Sequence, residues 1–251
     1  MTLPHLFNIS DGALVAIVGG GGKSSLMFAL ANSLPNSRIV TTTTTRIFAA
    51  QMSIAPVTRF YDETGDENAF FASVSDALDA HGQCLVVGSV GAGSNVEKAF
   101  GVPADLPARL LARPDVDIVL VEADGSRMRP IKAPAEHEPV IPLGTTLVVP
   151  VVGIDALNGR LAEIAHRPEK MIALGIADHP DGLTAADIAC LLAHPNGGLK
   201  GVPDGARVIP LLNKVETTDQ RAIAHEIAQL ALRQSPRLES VVIGAVQGGG
   251  R

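Results

Sequence analysis

The stretch VAIVGGGGKSSLMFAL, residues 15–30, decides the fold of this chain. Its apolar start predicts a buried strand, its glycines predict a tight loop, and the apolar residues that follow predict a helix. Glycines let successive backbone N–H groups point at an anion, and a helix N-terminus adds a partial positive charge. The stretch therefore predicts a phosphate-binding loop, whose nucleotide contacts are Gly19, Gly20, Gly21, Gly22, Lys23, Ser24 and Ser25.

Lys23 and Ser24 have different predicted roles in this loop. The lysine can reach the outer phosphates of a nucleotide and act in catalysis, and the serine hydroxyl can bind Mg²⁺. Ile17 stands six positions before Lys23, so the spacing fits the shorter Gly-Gly-x-Gly-Lys-Ser form rather than the common one. The alternative is a glycine-rich turn without a ligand, but strand, glycines, Lys-Ser and helix occur here in the expected order.

Seven short apolar runs recur along the chain, with helical patterns between them. The runs are Ala13–Val18, Arg38–Thr42, Cys84–Gly88, Val116–Val121, Thr146–Val152, Arg207–Leu212 and Ser240–Ala245. The helical patterns are Ser24–Ser33, Glu67–Ala80, Ala185–Ala193 and Asp219–Arg233. Strands that alternate with helices predict an α/β protein with a mainly parallel sheet. We expect a three-layer, P-loop NTPase-like fold of about seven strands with helices on both faces, formed by residues 1–251 as one domain.

Two carboxylates follow the fourth apolar run, in the sequence Glu122-Ala123-Asp124-Gly125. A phosphate-binding loop needs an acidic partner for its metal at the end of a neighbouring strand, because Mg²⁺ prefers oxygen ligands. We expect Glu122 to bind Mg²⁺ and Asp124 to position the nucleophile in catalysis. Acidic residues also end strands for no catalytic reason, which is the alternative.

The second apolar run leads into a threonine run, Thr41 to Thr45, followed by Arg46. Threonine is common in strands, so an exposed sheet edge is one interpretation. At the carboxyl end of a strand beside the glycines, however, the hydroxyls would face the bound phosphates. This favours Thr44 as a nucleotide contact and Thr45 as a metal ligand.

The sixth run ends in Asn213-Lys214-Val215-Glu216, which is similar to the Asn-Lys-x-Asp motif with which GTPases bind guanine. We expect Asn213, Lys214 and Glu216 to contact the base. The glutamate is one methylene longer than the usual aspartate, so the prediction is GTP or ATP, with guanine preferred.

The segment around residues 125–145 is rich in proline and lacks periodicity, and we expect it to be an excursion that faces a substrate. Arg127, Arg129 and Lys132 suit a phosphate or carboxylate group. Lys132 and His137 are candidate catalytic residues that would face an acceptor. A solvated loop is the alternative interpretation.

The composition of the chain argues against some classes of binding partner. Aromatic residues make up only 3% of the chain and the net charge is −6, which argues against nucleic acid and anionic membranes. The two cysteines, Cys84 and Cys190, match no zinc spacing. No apolar run reaches the ~18 residues of a membrane span, and the first residues do not resemble a signal peptide. We expect a cytoplasmic protein, and leave open whether it forms a homo-oligomer.

Taken together, the glycine stretch, the threonine run, the block from Glu122 to Pro139, His166-Arg167-Pro168-Glu169 and Asn213-Lys214 resemble the YqeC family. The resemblance covers nearly the whole chain, and the block from Glu122 to Pro139 is specific to it. Members are labelled accessory proteins of selenium-dependent molybdenum hydroxylases. The resemblance implies a nucleotide-binding protein that acts in maturation of a molybdenum hydroxylase or its cofactor, and either would then be a partner.

Three functions fit these observations. The first is a Mg²⁺-dependent NTPase that uses GTP or ATP for hydrolysis or phosphoryl transfer. The second is a small-molecule kinase or ATP-dependent ligase. The third is a non-catalytic, nucleotide-gated chaperone for a cofactor, which would bind nucleotide tightly but turn it over poorly.

Overall fold

The computed structural model describes residues 2–92 and 97–246. Its strands are β1 (Ala13–Gly19), β2 (Ile39–Thr43), β3 (Arg46–Phe48), β4 (Thr58–Phe60), β5 (Gln83–Val87), β6 (Val90–Ala92), β7 (Glu97–Phe100), β8 (Ile118–Glu122), β9 (Ile131–Lys132), β10 (Leu147–Gly153), β11 (Ala165–His166), β12 (Arg207–Val208), β13 (Leu211–Asn213) and β14 (Val242–Ile243). Its α-helices are α1 (Leu3–Leu6), α2 (Lys23–Asn32), α3 (Glu67–His81), α4 (Leu106–Leu111), α5 (Leu161–Ile164), α6 (Pro168–Ala173), α7 (Ala185–Ala193) and α8 (Thr218–Gln234).

Nine strands form one central sheet, in the order β14-β13-β10-β1-β8-β2-β5-β4, with β12 also paired to β10. Every hydrogen-bonded strand pair in this sheet is parallel. Each of the seven predicted runs forms a strand here, the sixth as the two pieces β12 and β13. The α/β class with a mainly parallel sheet is therefore confirmed.

The edge strand β4 is the member of the sheet that the sequence did not predict. It comprises Thr58, Arg59 and Phe60 and pairs with β5. An edge strand has only one neighbour and buries little surface, and Phe60 is 53% exposed. The segment therefore carries no apolar run from which it could have been recognised.

Helices cover both faces of the sheet because the side chains of β1 alternate between two apolar clusters. Val15 and Ile17 pack with Leu26 of α2, on the face that also holds α1. Leu14 points the other way, into a cluster with α3 and α4. On that second face, Leu212 of β13 packs with α7 and α8. This is the expected three-layer arrangement.

The carboxyl ends of the central strands meet at one edge of the sheet. Gly19 ends β1, Thr43 of β2 lies in register with Glu122 of β8, and Asn213 of β13 lies in register with Gly153 of β10. Open parallel sheets bind their ligands at this edge. The fold thus brings the glycines, the acidic strand, the threonine run and Asn213 to the same side of the molecule.

The excursion (residues 125–145) folds back over this edge. Its β9 pairs with β11 in a small parallel sheet. The amide of Gly153 donates to the carbonyl of Pro130 (2.9 Å), and the amide of Val140 donates to the carbonyl of Ala123 (2.9 Å). A further three-stranded antiparallel sheet, β3-β7-β6, packs against β5 of the central sheet through Ile47 and Ala99. Across the part of the chain that the structure describes, no helix has the length and apolar character needed to cross a membrane.

Candidate functional site

The glycine loop (residues 19–22) is a tight turn that only glycine fits. The φ angle is +95° at Gly19, +74° at Gly21 and +118° at Gly22, a region that residues with a side chain rarely adopt. A Cβ atom at Gly21 would also lie 2.1 Å from the backbone N of Gly153. The loop therefore depends on glycine both for its backbone conformation and for its close contact with the end of β10.

The amides of the first three glycines already have acceptors inside the protein. These acceptors are the Asp124 carboxylate for Gly19 (3.1 and 3.0 Å), the Val151 carbonyl for Gly20 (2.9 Å) and the Arg129 carbonyl for Gly21 (3.0 Å). These bonds thus fasten the loop to Asp124 just after β8, to β10 and to the excursion. Their role as phosphate contacts stays a prediction.

Four amides that follow are free. Within the described ranges, the N–H groups of Gly22, Lys23, Ser24 and Ser25 have no acceptor, and Leu26 makes the first helical bond, to the Gly22 carbonyl (3.0 Å). Such unpaired amides at a helix start carry its partial positive charge. This is the physical requirement for binding a phosphate.

The Lys23 ammonium is buried beside these amides, and its residue is only 4% exposed. It donates to the Gly19 carbonyl (2.8 Å) and lies 3.3 Å from an Asp124 oxygen and 3.6 Å from a Glu122 oxygen. Burial by itself would lower the pKa of Lys23, but the charges of Asp124 and Glu122 outweigh it and raise that pKa. Lys23 is therefore charged and held by carboxylates.

Ser24 also contacts the Glu122 carboxylate. The Ser24 hydroxyl donates to a Glu122 carboxylate oxygen at 2.6 Å. Burial raises the pKa of Glu122, and Lys23 and the Ser24 hydroxyl offset this only in part. The positive charge near Glu122 thus does not fully compensate for the burial of its carboxylate. A hydroxyl and a carboxylate are oxygen donors that fit Mg²⁺, which takes few protein ligands and completes its shell with phosphates and water.

A chain of buried charges, which we name the ion chain, runs from Asp124 through Lys132 and Glu138 to Arg167. The Lys132 ammonium lies 3.0 Å from Asp124 and 2.7 Å from Glu138. Arg167 donates to both Glu138 oxygens, at 2.5 and 3.2 Å. Burial would raise the pKa of Glu138, but hydrogen bonds from Lys132 and Arg167 lower it to about 2. Lys132 and Arg167 thus compensate the negative charge of Glu138.

His166 and Lys132 hold the chain just after Asp124. Lys132 donates to the Gly125 carbonyl at 2.7 Å, and His166 Nδ1 lies 3.2 Å from the same oxygen. Because a carbonyl only accepts, Nδ1 carries the proton. Burial and the charges of Arg167 and Lys132 lower the pKa of His166, which favours its neutral ring.

The threonine run lies against Glu122 and the excursion. The Thr43 hydroxyl donates to the Glu122 carbonyl (2.9 Å), and the Thr44 hydroxyl donates to the Val140 carbonyl (2.8 Å). The Thr45 hydroxyl lies 3.4 Å from that of Thr43. The run is thus adjacent to the proposed metal ligands, and the roles of Thr44 and Thr45 stay predictions.

Asn213 connects the glycine loop to the chain after β14. Its side-chain amide donates to the Gly21 carbonyl (2.8 Å), its side-chain oxygen accepts from the Val246 amide (2.8 Å), and the residue is 1% exposed. The Lys214 ammonium pairs with Asp155 at 2.6 Å. Recognition of a base by Asn213, Lys214 and Glu216 stays a prediction, while the contact of Asn213 with the loop is direct.

The two candidate catalytic residues of the excursion are placed differently. Lys132 is enclosed in the ion chain, whereas the His137 side chain is exposed. Among the described residues, no three His, Cys, Asp or Glu side chains converge on a point where a metal could sit. Within the described ranges, no hydrogen bond or ion pair joins the exposed His137 side chain to the glycine loop.

The salt bridge between Glu138 and Arg167 was not predicted from the sequence. Arg167 stands 29 positions after Glu138, and no local pattern joins them. Its φ of +70° just before Pro168 is unusual for an arginine, and marks the point where the chain turns so that the guanidinium reaches the excursion.

Comparison with known proteins matches the chain to one family. The sequence model described as "YqeC protein" matches residues 15–169. A protein of Escherichia coli (strain K12), described as "Uncharacterized protein YqeC", is 31% identical over 238 residues, which cover 93% of this chain and 88% of that relative. The match spans the glycine loop, the acidic strand, the excursion and the ion chain, and the chain therefore belongs to the YqeC family.

Proposed function

We propose that this protein binds GTP or ATP together with Mg²⁺ at the glycine loop, and that it hydrolyses or transfers the terminal phosphoryl group. The observation that carries the proposal is the 2.6 Å contact between Ser24 and Glu122, beside four free amides at the start of α2. This arrangement offers N–H donors to the phosphates and oxygen donors to the metal in one place.

Binding would exchange the partners of Lys23. Its ammonium now rests on Gly19, Asp124 and Glu122, and the phosphates would become its new partner. Mg²⁺ held by Ser24 and Glu122 would neutralise charge on the phosphates. Glu122 would then keep a cation nearby after Lys23 turns away, so the exchange leaves no buried carboxylate without compensation.

Asp124 is the candidate for positioning the nucleophile. Its two oxygens accept from the Gly19 amide, and Lys132 holds one of them at 3.0 Å. These contacts fix the carboxylate directly beneath the loop. Catalysis in phosphoryl transfer comes mainly from such positioning and charge stabilisation.

The proposed base contact favours binding of GTP over binding of ATP. The carboxylate of Glu216 is exposed and is available to accept hydrogen bonds from the N–H groups of a guanine edge. Asn213 would have to keep its bonds to Gly21 and Val246 while it meets the base. Competition between GTP and ATP, with Glu216→Gln as the variant, measures this preference.

The proposed biological role is maturation of a molybdenum hydroxylase or its cofactor, and its support is the family resemblance. The kinase or ligase alternative needs Lys132 to face an acceptor, but Asp124, Glu138 and the Gly125 carbonyl enclose its ammonium. Phosphate release measured with and without an added acceptor separates hydrolysis from transfer, and tight binding without release would favour the chaperone.

Calorimetric titration with GTP and ATP, with Mg²⁺ or with a chelator, tests the proposal. We expect binding that needs Mg²⁺, and that Lys23→Ala weakens about 10- to 100-fold because one charged contact is lost. The matched control is Arg233→Ala, which removes an exposed cation of α8. Equal absence of affinity in the wild type and in Lys23→Ala would refute the proposal.

A further inference from the structure

A second cavity lies on the outer side of the excursion, between it and α6. We name it the outer groove. Its volume is about 360 Å³, within the range of small-molecule sites. Ala133 and Pro134 of the excursion form one apolar side, and Ala173 and Leu174 at the end of α6 form the other. The glycine loop does not contribute to its lining.

The walls of the outer groove are fixed before any ligand binds. On one side of it, β9 and β11 pair in register, so that Lys132 lies opposite His166. The salt bridge between Glu138 and Arg167 joins the excursion to the residue just before α6. A groove whose walls are joined in this way loses little conformational entropy when it is filled.

Two lysines supply positive charge to the groove. The Lys200 ammonium is anchored by the carbonyls of Ala135 and Glu136, and an ammonium has three donors, so one N–H is left. The Lys170 ammonium lies 3.8 Å from the Glu136 carboxylate, which is 95% exposed. Such an exposed pair is weak, so an incoming anion can replace Glu136 as the partner of Lys170.

We propose that the outer groove binds a small organic anion, with an apolar body between Pro134 and Leu174 and a carboxylate or phosphate between Lys170 and Lys200. Asn196 also lines the groove and offers an amide to the polar end. Apolar walls with a few convergent polar groups are the usual composition of a ligand site. The proposal does not depend on nucleotide binding at the glycine loop.

The position of the groove connects it with the first site. Pro134 lines the outer groove and also a small cavity of about 20 Å³ beside Asp124 and Lys132. One proline thus separates a ligand in the groove from the ion chain. Lys132 does not line the outer groove. A ligand there would contact Pro134 instead of Lys132, unlike the acceptor that the sequence predicts to face Lys132.

Three probes of similar size test the proposal by ¹H–¹⁵N NMR titration of the full chain. Benzoate supplies a carboxylate, phenyl phosphate supplies a phosphate, and benzamide is the uncharged control. We expect saturable shifts at Ala173, Leu174 and Asn196 with the anions, with benzamide about tenfold weaker because it lacks the charged contact. The better anion identifies the polar group that the groove prefers.

Two variants make the result specific. We expect Lys170→Glu to weaken the anions about tenfold or more and Ala173→Phe, at an exposed position of α6, to abolish the shifts by filling the groove. Arg233→Glu, the matched charge reversal, should change nothing. Lys23→Ala should leave the groove shifts intact even if it removes nucleotide binding, which keeps the two proposals distinguishable.

Several outcomes would overturn the proposal. They are an absence of saturable shifts with both anions, equal affinity for benzamide, no effect of Lys170→Glu, and shifts confined to Gly22–Ser25, which would mean that the anions bind only at the glycine loop.

Discussion

Two buried carboxylates, Glu122 and Glu138, lie on either side of Asp124 and have opposite electrostatic character. Glu122 has a serine hydroxyl and a shared lysine at 3.6 Å, and burial raises its pKa. Glu138 has its own lysine at 2.7 Å and a two-pronged arginine, and its pKa is lowered to about 2.

Under the proposed function, this difference separates the end that would hold a metal from the end that fastens the excursion. A buried carboxylate with incomplete compensation costs stability unless a cation arrives, so the Glu122 end is suited to a metal and a moving lysine. A carboxylate with complete compensation holds structure together, so the Glu138 end fastens the excursion.

The largest expected effect is that of Lys132→Met. It removes the fully buried ammonium that bridges Asp124 and Glu138 at 3.0 and 2.7 Å. Lys23 and Arg167 remain beside these carboxylates but do not bridge them, so we expect the free energy of unfolding to fall by about 3–5 kcal/mol. Lys23→Met should cost at most about 2 kcal/mol, because Asp124 keeps Lys132 and Glu122 can take up a proton. Urea denaturation measures the free energy of unfolding of both variants. An equal or larger loss for Lys23→Met would show that the contacts of Lys132 do not contribute more to stability than those of Lys23.

Gly21→Ala perturbs the close contact between the glycine loop and Gly153 at the end of β10. The new Cβ would overlap the Gly153 backbone at a φ of +74°, so we expect a loss of about 3 kcal/mol in unfolding free energy. Gly12→Ala is the matched control, since Gly12 has a φ of +84° with nothing within 4 Å of a Cβ, and it should cost about 1 kcal/mol. Similar losses would mean that close packing of the loop is unimportant.

Glu138→Gln and Glu122→Gln compare the carboxylates directly. At neutral pH we expect Glu138→Gln to destabilise the protein by about 2 kcal/mol, and Glu122→Gln to change stability by less than about 1 kcal/mol. Thermal unfolding without Mg²⁺ measures both. A larger cost for Glu122→Gln would reverse the assignment of the two ends.

The pH dependence of unfolding tests whether the charge of Glu138 stabilises the folded protein. The folded pKa of Glu138 is lowered from 4.5 to about 2, so its stabilisation is present above pH ~4.5 and is lost as pH falls towards 2. The wild type should therefore lose its stability advantage over Glu138→Gln in that window. An advantage independent of pH would show that the charge of Glu138 is not the cause.

The smallest expected effects concern the two histidines. His166→Ala should cost about 1 kcal/mol of unfolding free energy because the bond to the Gly125 carbonyl is lost, whereas His137→Ala at the exposed surface should change it by less than about 0.5 kcal/mol. Any fall in phosphate release by His137→Ala then reports on chemistry rather than folding.

The central strands and the glycine loop could be predicted from sequence because their signals are local. Buried parallel strands are apolar runs, and Lys23-Ser24 follows its glycines directly. The acidic strand end at Glu122 and Asp124 was predicted by the same logic, since parallel strands end at one edge. The structure brings these four side chains into contact.

The rest depends on contacts between distant segments, which no local pattern records. The bonds from Gly20 and Gly21 to Val151 and Arg129 appear only when β10 and the excursion pack on the loop. Arg167 reaches Glu138 because β11 pairs with β9. The excursion has no periodicity because single backbone hydrogen bonds to other segments and the ion pairs of Lys132 and Glu138 fix its course, rather than a long helix or strand.

In the proposed function, phosphates bind first at the free amides of residues 22–25, because the amides of Gly19, Gly20 and Gly21 already have acceptors in the protein. The direct test is ¹H–¹⁵N NMR of the full chain, titrated with non-hydrolysable GTP and ATP analogues in the presence of Mg²⁺. We expect saturable shifts that are largest at Gly22 to Ser25 and small at the first three glycines. Shifts absent from residues 22–25 with both analogues, or confined to the first three glycines, would contradict it.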